Sequence, residues 1–182
     1  GDPAIRAAQQ ATRTIPIVMV YPPDAVALGF VASLARPGGN ITGLTSQAAE
    51  LHGKRLQLLK EAVPNLSRVA VLLDPGHPGV RQGVKDAEVA ALALGLRLQL
   101  VEARSPSELD SAFAAMTREG AGAVLYSGST RHFAHRARIA EYAVKNRLPA
   151  MCTWSEYVEA GCLMSYGADF IDLFRRAAYF VD

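Results

Sequence analysis

Beyond residue 65 the chain alternates between short apolar runs and longer stretches with helical spacing. Val69-Ala70-Val71-Leu72-Leu73 carries no polar residue, the pattern of a strand covered on both faces. Asp74-Pro75-Gly76 ends it in a turn. Val80, Val84, Ala87, Ala91 and Leu94 then recur on one helical face, with Gly95 placed as the C-terminal cap. The cycle repeats with a strand over Leu98 to Val101 and the capping-box sequence Ser105-Pro106-Ser107-Glu108. That box opens a helix whose face carries Leu109, Phe113 and Met116. A strand over Ala123 to Tyr126, a helix from about Arg131 to Asn146 and a strand over Pro149 to Cys152 follow. Such alternation predicts the α/β class: a doubly wound parallel sheet with helices on both faces.

The first 65 residues read differently. Ala4 to Ala11 has the composition of a helix body, and Ile15-Pro16-Ile17-Val18-Met19-Val20 that of a buried strand. One strand and one helix cannot form an independent sheet. These elements either join the later sheet or belong to a domain whose remainder lies elsewhere. The run Leu34-Ala35-Arg36-Pro37-Gly38-Gly39-Asn40-Ile41-Thr42-Gly43-Leu44 predicts a sharp exposed turn that resumes as an extended segment. Pro37 fixes φ, Gly38 and Gly39 allow φ > 0, and Asn40 tolerates the left-handed region.

Composition narrows the function classes. With 182 residues, half of them hydrophobic, the chain can bury a proper core. Net charge is +2 and the 19 basic residues are dispersed, so nucleic acid has no electrostatic footprint. Cys152 and Cys162 lack metal-ligand spacing, and separate thiols are expected rather than a disulfide, because a helix intervenes between them. No G-x-S-x-G, Walker loop, G-x-G-x-x-G or H-E-x-x-H motif occurs. His132 and His135 share a spacing that suits a solvated helix face, and His52 reads the same way. Asp169 and Asp172 fit a helix cap.

In open parallel sheets, ligands sit beyond the carboxyl ends of the strands. That rule selects Tyr21 and Asp24 after the first strand, Asp74 and His77 after the next, then Tyr126, Ser127 and Ser129 after the third, and Trp154 and Glu156 after the fourth. Asp2 precedes a helix and joins them. Helix N-termini in such loops suit a ligand carboxylate, and Asp24 or Asp2 could receive an ammonium. Each has a structural competitor: Asp24, Ser129 and Thr130 are favoured caps, Asp74-Pro75 is a common turn, and Tyr126 and Trp154 are rings that cores use. These residues call for no cofactor and no metal.

Four segments, in order and at matching spacing, resemble one family: Thr14-Ile15-Pro16-Ile17-Val18, the Leu34–Leu44 run, Gly53-Lys54-Arg55-Leu56-Gln57-Leu58-Leu59-Lys60, and Glu159-Ala160-Gly161-Cys162-Leu163-Met164-Ser165-Tyr166-Gly167. They are similar to the substrate-binding proteins of ABC transporters related to tryptophan and other aromatic amino-acid uptake systems, type I periplasmic binding proteins. The resemblance implies two α/β lobes joined by crossing strands, with a small ligand held in the cleft between them. It places a remnant of lobe 1 and the first crossing in residues 1–45, lobe 2 in 46–161, and the return crossing and a helix packing on lobe 1 in 162–182. It also implies that a βα series and a C-terminal tail lie outside this chain, so that the first lobe is incomplete. The function implied is non-enzymatic: extracytoplasmic capture of a solute, plausibly an amino acid, for ABC permease subunits. Tyr21, Tyr126 and Trp154 would meet its side chain, with Asp24 and amides beside Ser129 at its charged ends. A ligand-sensing domain of a transcriptional regulator or receptor could use the same bilobed fold.

Overall fold

Short apolar strands separated by capped helices leave few arrangements, and the chain adopts the parallel one. The computed structural model describes residues 2–46, 51–77 and 80–181, apart from the side chains at 130 and 131. Gly1, the expected helix start near Glu50, Pro78, the Thr130 side chain and Asp182 fall outside the described residues. The chain divides into two compact units, residues 1–49 with 168–182, and residues 50–167.

The smaller unit begins with helix α1 (Asp2–Ala11) and strands β1 (Ile17–Met19) and β2 (Ile41–Gly43). The strands pair with each other in parallel, Ile17 opposite Ile41 and Met19 opposite Gly43, and do not join the larger sheet. Ile5, Met19, Ala25, Phe30, Val31 and Ile41 form the core. Asn40 is not left-handed as its type suggested. Its amide instead donates to the Ile15 carbonyl at 2.7 Å, tying the turn to the entry of β1. Gly43 has φ 129, and a Cβ there would collide with the Met19 backbone. Only glycine fits that strand pair.

The larger unit contains α2 (His52–Ala62), β3 (Arg68–Leu73), α3 (Val80–Ala93), β4 (Arg97–Glu102), α4 (Leu109–Arg118), β5 (Ala123–Tyr126), α5 (Thr130–Phe133), α6 (Arg136–Lys145), β6 (Ala150–Cys152), α7 (Ser155–Glu159) and β7 (Met164–Ser165). The strands form one parallel sheet in the order β4-β3-β5-β6-β7. On one face, Leu56 and Leu59 of α2 and Ala87 and Ala91 of α3 pack over Val69, Val71 and Leu73. Alternation along β3 aims Ala70 and Leu72 at the opposite face. Right-handed crossovers put α4 on that side, where Phe113 stacks on Tyr142 of α6 at 5.4 Å. Helix α8 (Phe170–Ala177) returns the chain to the smaller unit. Asp169 caps it by accepting from the Asp172 amide at 2.9 Å.

Several local expectations are corrected. The helix expected from Arg131 to Asn146 is two helices, α5 and α6, separated by a turn in which the His135 amide donates to the His132 carbonyl at 2.8 Å. Glu108 closes its capping box one residue early, accepting from the Arg104 amide at 2.9 Å, and a single 3-10 turn (Pro106–Glu108) precedes α4. Neither His52 nor His132 is solvated: they are 4% and 0% exposed. His52 lies against Gly83 of α3, where a Cβ would sit 2.9 Å from its ring.

Candidate functional site

The sheet order fixes where a crevice can open. From β3 the chain steps outward to β4, then crosses back to β5 on the other side. The connections leaving β3 and β5 therefore diverge at their carboxyl ends, the switch point at which open α/β sheets bind ligands.

Asp74 follows β3 and Ser129 follows β5, and the fold brings them into contact. Ser129 Oγ donates to Asp74 Oδ2 at 2.6 Å, while Asp74 Oδ1 accepts from the Gly76 amide at 2.9 Å. Both residues are 2% exposed. A carboxyl group so placed takes its hydrogen bonds from protein donors rather than from water. Tyr126, the last residue of β5, folds its hydroxyl back over the same loop. The hydroxyl accepts from the Ser129 amide at 2.9 Å and donates to the Ser129 carbonyl at 3.3 Å. Burial first, then the neighbouring Tyr157 and Asp74, hold the Tyr126 phenol well above its ordinary range, so it is a neutral donor and acceptor. Burial likewise raises Tyr157.

Thr153, after β6, completes this end of the sheet. Its hydroxyl donates to the Tyr126 carbonyl at 3.2 Å. Gly128, at φ +80, leaves the space Thr153 occupies: a Cβ there would stand 2.7 Å from Thr153 Oγ1. Beneath lies a cluster of rings. Tyr126 meets His132 at 6.0 Å and Tyr157 at 4.9 Å, and Trp154 meets the edge of Phe133 at 5.4 Å.

Of the residues picked from sequence, Asp74, Tyr126 and Ser129 form this hydrogen-bonded set. His77 adjoins it, its amide donating to the Asp74 carbonyl at 3.0 Å. Ser127 is turned to the sheet, donating from both Oγ and N to the Leu72 carbonyl. Trp154 is 5% exposed and Glu156 is half-buried in the first turn of α7. Asp2, Tyr21 and Asp24 belong to the smaller unit. Asp2 is buried in the first turn of α1, and Tyr21 sets its ring against Phe170 at 5.0 Å. Asp24 Oδ1 accepts from the amides of Val26 and Ala27 at 3.0 and 2.9 Å, a capping role. The Ser129 amide itself is bonded to the Tyr126 hydroxyl.

Thr153, in the segment after the fourth strand, and His132, expected on a solvated helix face, were not among the residues picked. Thr153 joins the set through the Tyr126 carbonyl and His132 through the Tyr126 ring, contacts made only by the fold. Separate thiols were also expected where a disulfide joins Cys152 to Cys162, with Cα atoms 6.7 Å apart. The intervening helix α7 is only 5 residues long, and β6 and β7 are neighbouring strands, so the chain returns beside its starting point.

Among the described residues no cluster of metal-ligating side chains occurs. A shallow apolar groove of about 310 Å³, lined by Leu148, Pro149, Ala150 and Leu163, lies at the opposite, amino-terminal end of β6.

The profile of a family described as ABC transporter substrate binding protein matches residues 1–182. A tyrosine-binding protein of Clostridioides difficile (strain R20291) is 28% identical over 180 residues, covering 97% of this chain and 50% of that protein. A conserved domain protein from Vibrio cholerae O1 biovar El Tor strain N16961 superimposes with a TM-score of 0.86 at 26% identity, over 99% of this chain and 60% of that one. The ABC domain from Streptococcus pneumonia in complex with L-Trp gives a TM-score of 0.85 over 99% of this chain and 62% of that one. At 22% identity the last likeness shows the fold alone. The chain spans half to about three-fifths of the length of these relatives.

Proposed function

This chain belongs to the family of ABC transporter substrate-binding proteins, and on that premise we propose that it captures an amino acid with an aromatic side chain for an importer, outside the cytoplasm, and delivers it to permease subunits. The observation that carries the reading is the meeting of Asp74, Ser129 and Tyr126 at the switch point of the sheet. A buried carboxylate suits an ammonium, hydroxyls suit a carboxylate, and the adjoining rings suit an aromatic side chain. The chemistry named for the relatives agrees: one is a tyrosine-binding protein and another was solved with L-Trp. The Cys152–Cys162 disulfide supports an oxidising, extracytoplasmic setting. Capture is binding without turnover, driven by the ligand's higher affinity for one conformation than for another.

Trp154 is the only tryptophan in the chain, so its emission, excited selectively, reports on the site. Titration with L-tyrosine and L-phenylalanine is expected to change that emission saturably, while glycine does not. Asp74→Asn, which keeps the Ser129 hydrogen bond but removes the charge, is expected to weaken binding about tenfold or more. A response to sugars or inorganic anions alone would overturn the ligand class.

A further inference from the structure

Arg55, in α2, is fully buried, an expensive place for a guanidinium. An aliphatic side chain of similar volume would fill the position without desolvating a charge. What arginine adds is a directed donor: its Nε donates to the Tyr166 carbonyl at 2.7 Å. Tyr166 follows β7, and its amide donates to the Cys152 carbonyl at 3.1 Å. One peptide group further on, Gly167 passes so close to Thr153 that a Cβ would overlap the Thr153 carbonyl oxygen and stand 3.4 Å from Arg55 Nη2. Thr153 is thus wedged between two glycines, Gly167 on its backbone side and Gly128 on its hydroxyl side.

We propose that Arg55 is a positioning residue for ligand binding: by gripping the Tyr166 carbonyl it presses Gly167 onto Thr153 and so keeps the Thr153 hydroxyl on the Tyr126 carbonyl. This rests on the amino-acid reading of the site. The path is continuous and entirely within residues 50–167: Arg55 to Tyr166, Gly167 to Thr153, Thr153 to Tyr126, Tyr126 to Ser129, and Ser129 to Asp74. Without the donor, the segment after β7 loses the partner that fixes its carbonyl, and the packing on Thr153 relaxes. Arg55 itself need not touch the ligand.

The test compares Arg55→Met, Arg55→Lys and Gly167→Ala with Leu66→Ala, a core truncation below the amino-terminal end of β3. Two readouts are taken: acrylamide quenching of Trp154 in the ligand-free protein, and calorimetry with L-tyrosine. Arg55→Met is expected to increase quenching and weaken binding about tenfold or more. Arg55→Lys, which keeps a charged donor, should recover most of both. Gly167→Ala should reproduce both effects and add little to Arg55→Met, since the two act on one contact. Wild-type quenching and affinity in Arg55→Met, whatever its melting temperature, would overturn the proposal. So would Leu66→Ala reproducing both effects at an equal loss of melting temperature. Should Arg55→Met not fold, Gly167→Ala decides by the same readouts. If the wild-type chain binds no amino acid, the proposed function fails, and the quenching comparison alone still decides the role of Arg55.

Discussion

Tyr126 organises the carboxyl end of β5: its hydroxyl bonds both the amide and the carbonyl of Ser129, and burial keeps it protonated beyond the ordinary phenol range. Its folded pKa lies above the ordinary 10.0, so the unfolded chain loses this proton first as pH rises. Stability is therefore fully present below about pH 10 and falls as pH climbs above it. Thermal melts across the alkaline range should show that fall, and Tyr126→Phe should flatten it. At neutral pH the same substitution leaves the Ser129 amide without its acceptor, at an expected loss of about 1–3 kcal/mol by denaturant unfolding. An alkaline slope unchanged in Tyr126→Phe would show that other groups set it. The positions of Asp74, Tyr126 and Ser129 at strand ends were legible in the sequence: Asp74 directly follows the β3 run, Tyr126 closes the β5 run, and Ser129 lies three residues beyond it. His132 and His52 were not, since what buries them comes from elsewhere in the chain: the Tyr126 ring for one and the missing side chain of Gly83 for the other.

At the scale of elements, strands read more reliably than helix ends. The run Ala123 to Tyr126 has no charged residue and is β5 from end to end. The break between α5 and α6 has neither proline nor glycine to mark it, and arises where Phe133 turns its ring toward Trp154 and Tyr157. The disulfide was misjudged because sequence gives the length of a connection but not the adjacency of β6 and β7. That bond closes the segment carrying Thr153, Trp154 and Tyr157. With a sequence separation of 10, replacing both cysteines by serine is expected to cost about 3 kcal/mol by constraining the unfolded chain less. Urea unfolding of the double variant checks this, and an unchanged midpoint would contradict it. In the other sheet, Gly43→Ala should separate β1 from β2. Its signature is faster hydrogen exchange at the Leu44 amide, which donates to the Met19 carbonyl at 2.9 Å, with the core of the larger unit unaffected.

At the scale of the whole molecule, the strand order of the larger unit puts a switch point at one end of one sheet, where the proposed function places the ligand. The family and the parallel α/β class were legible from four short segments and a repeating strand–helix cycle. The residues that hold the site together, Arg55 and Thr153 among them, needed the fold, because each acts through a backbone carbonyl on another strand or segment. At 19.4 kDa the chain suits residue-resolved NMR, and amide shifts on addition of L-tyrosine test the account most directly. The largest changes are expected in residues 74–77, 126–129 and 153–156, at the carboxyl ends of β3, β5 and β6. Changes confined to the groove around Leu148 to Ala150, at the opposite end of the sheet, would contradict it.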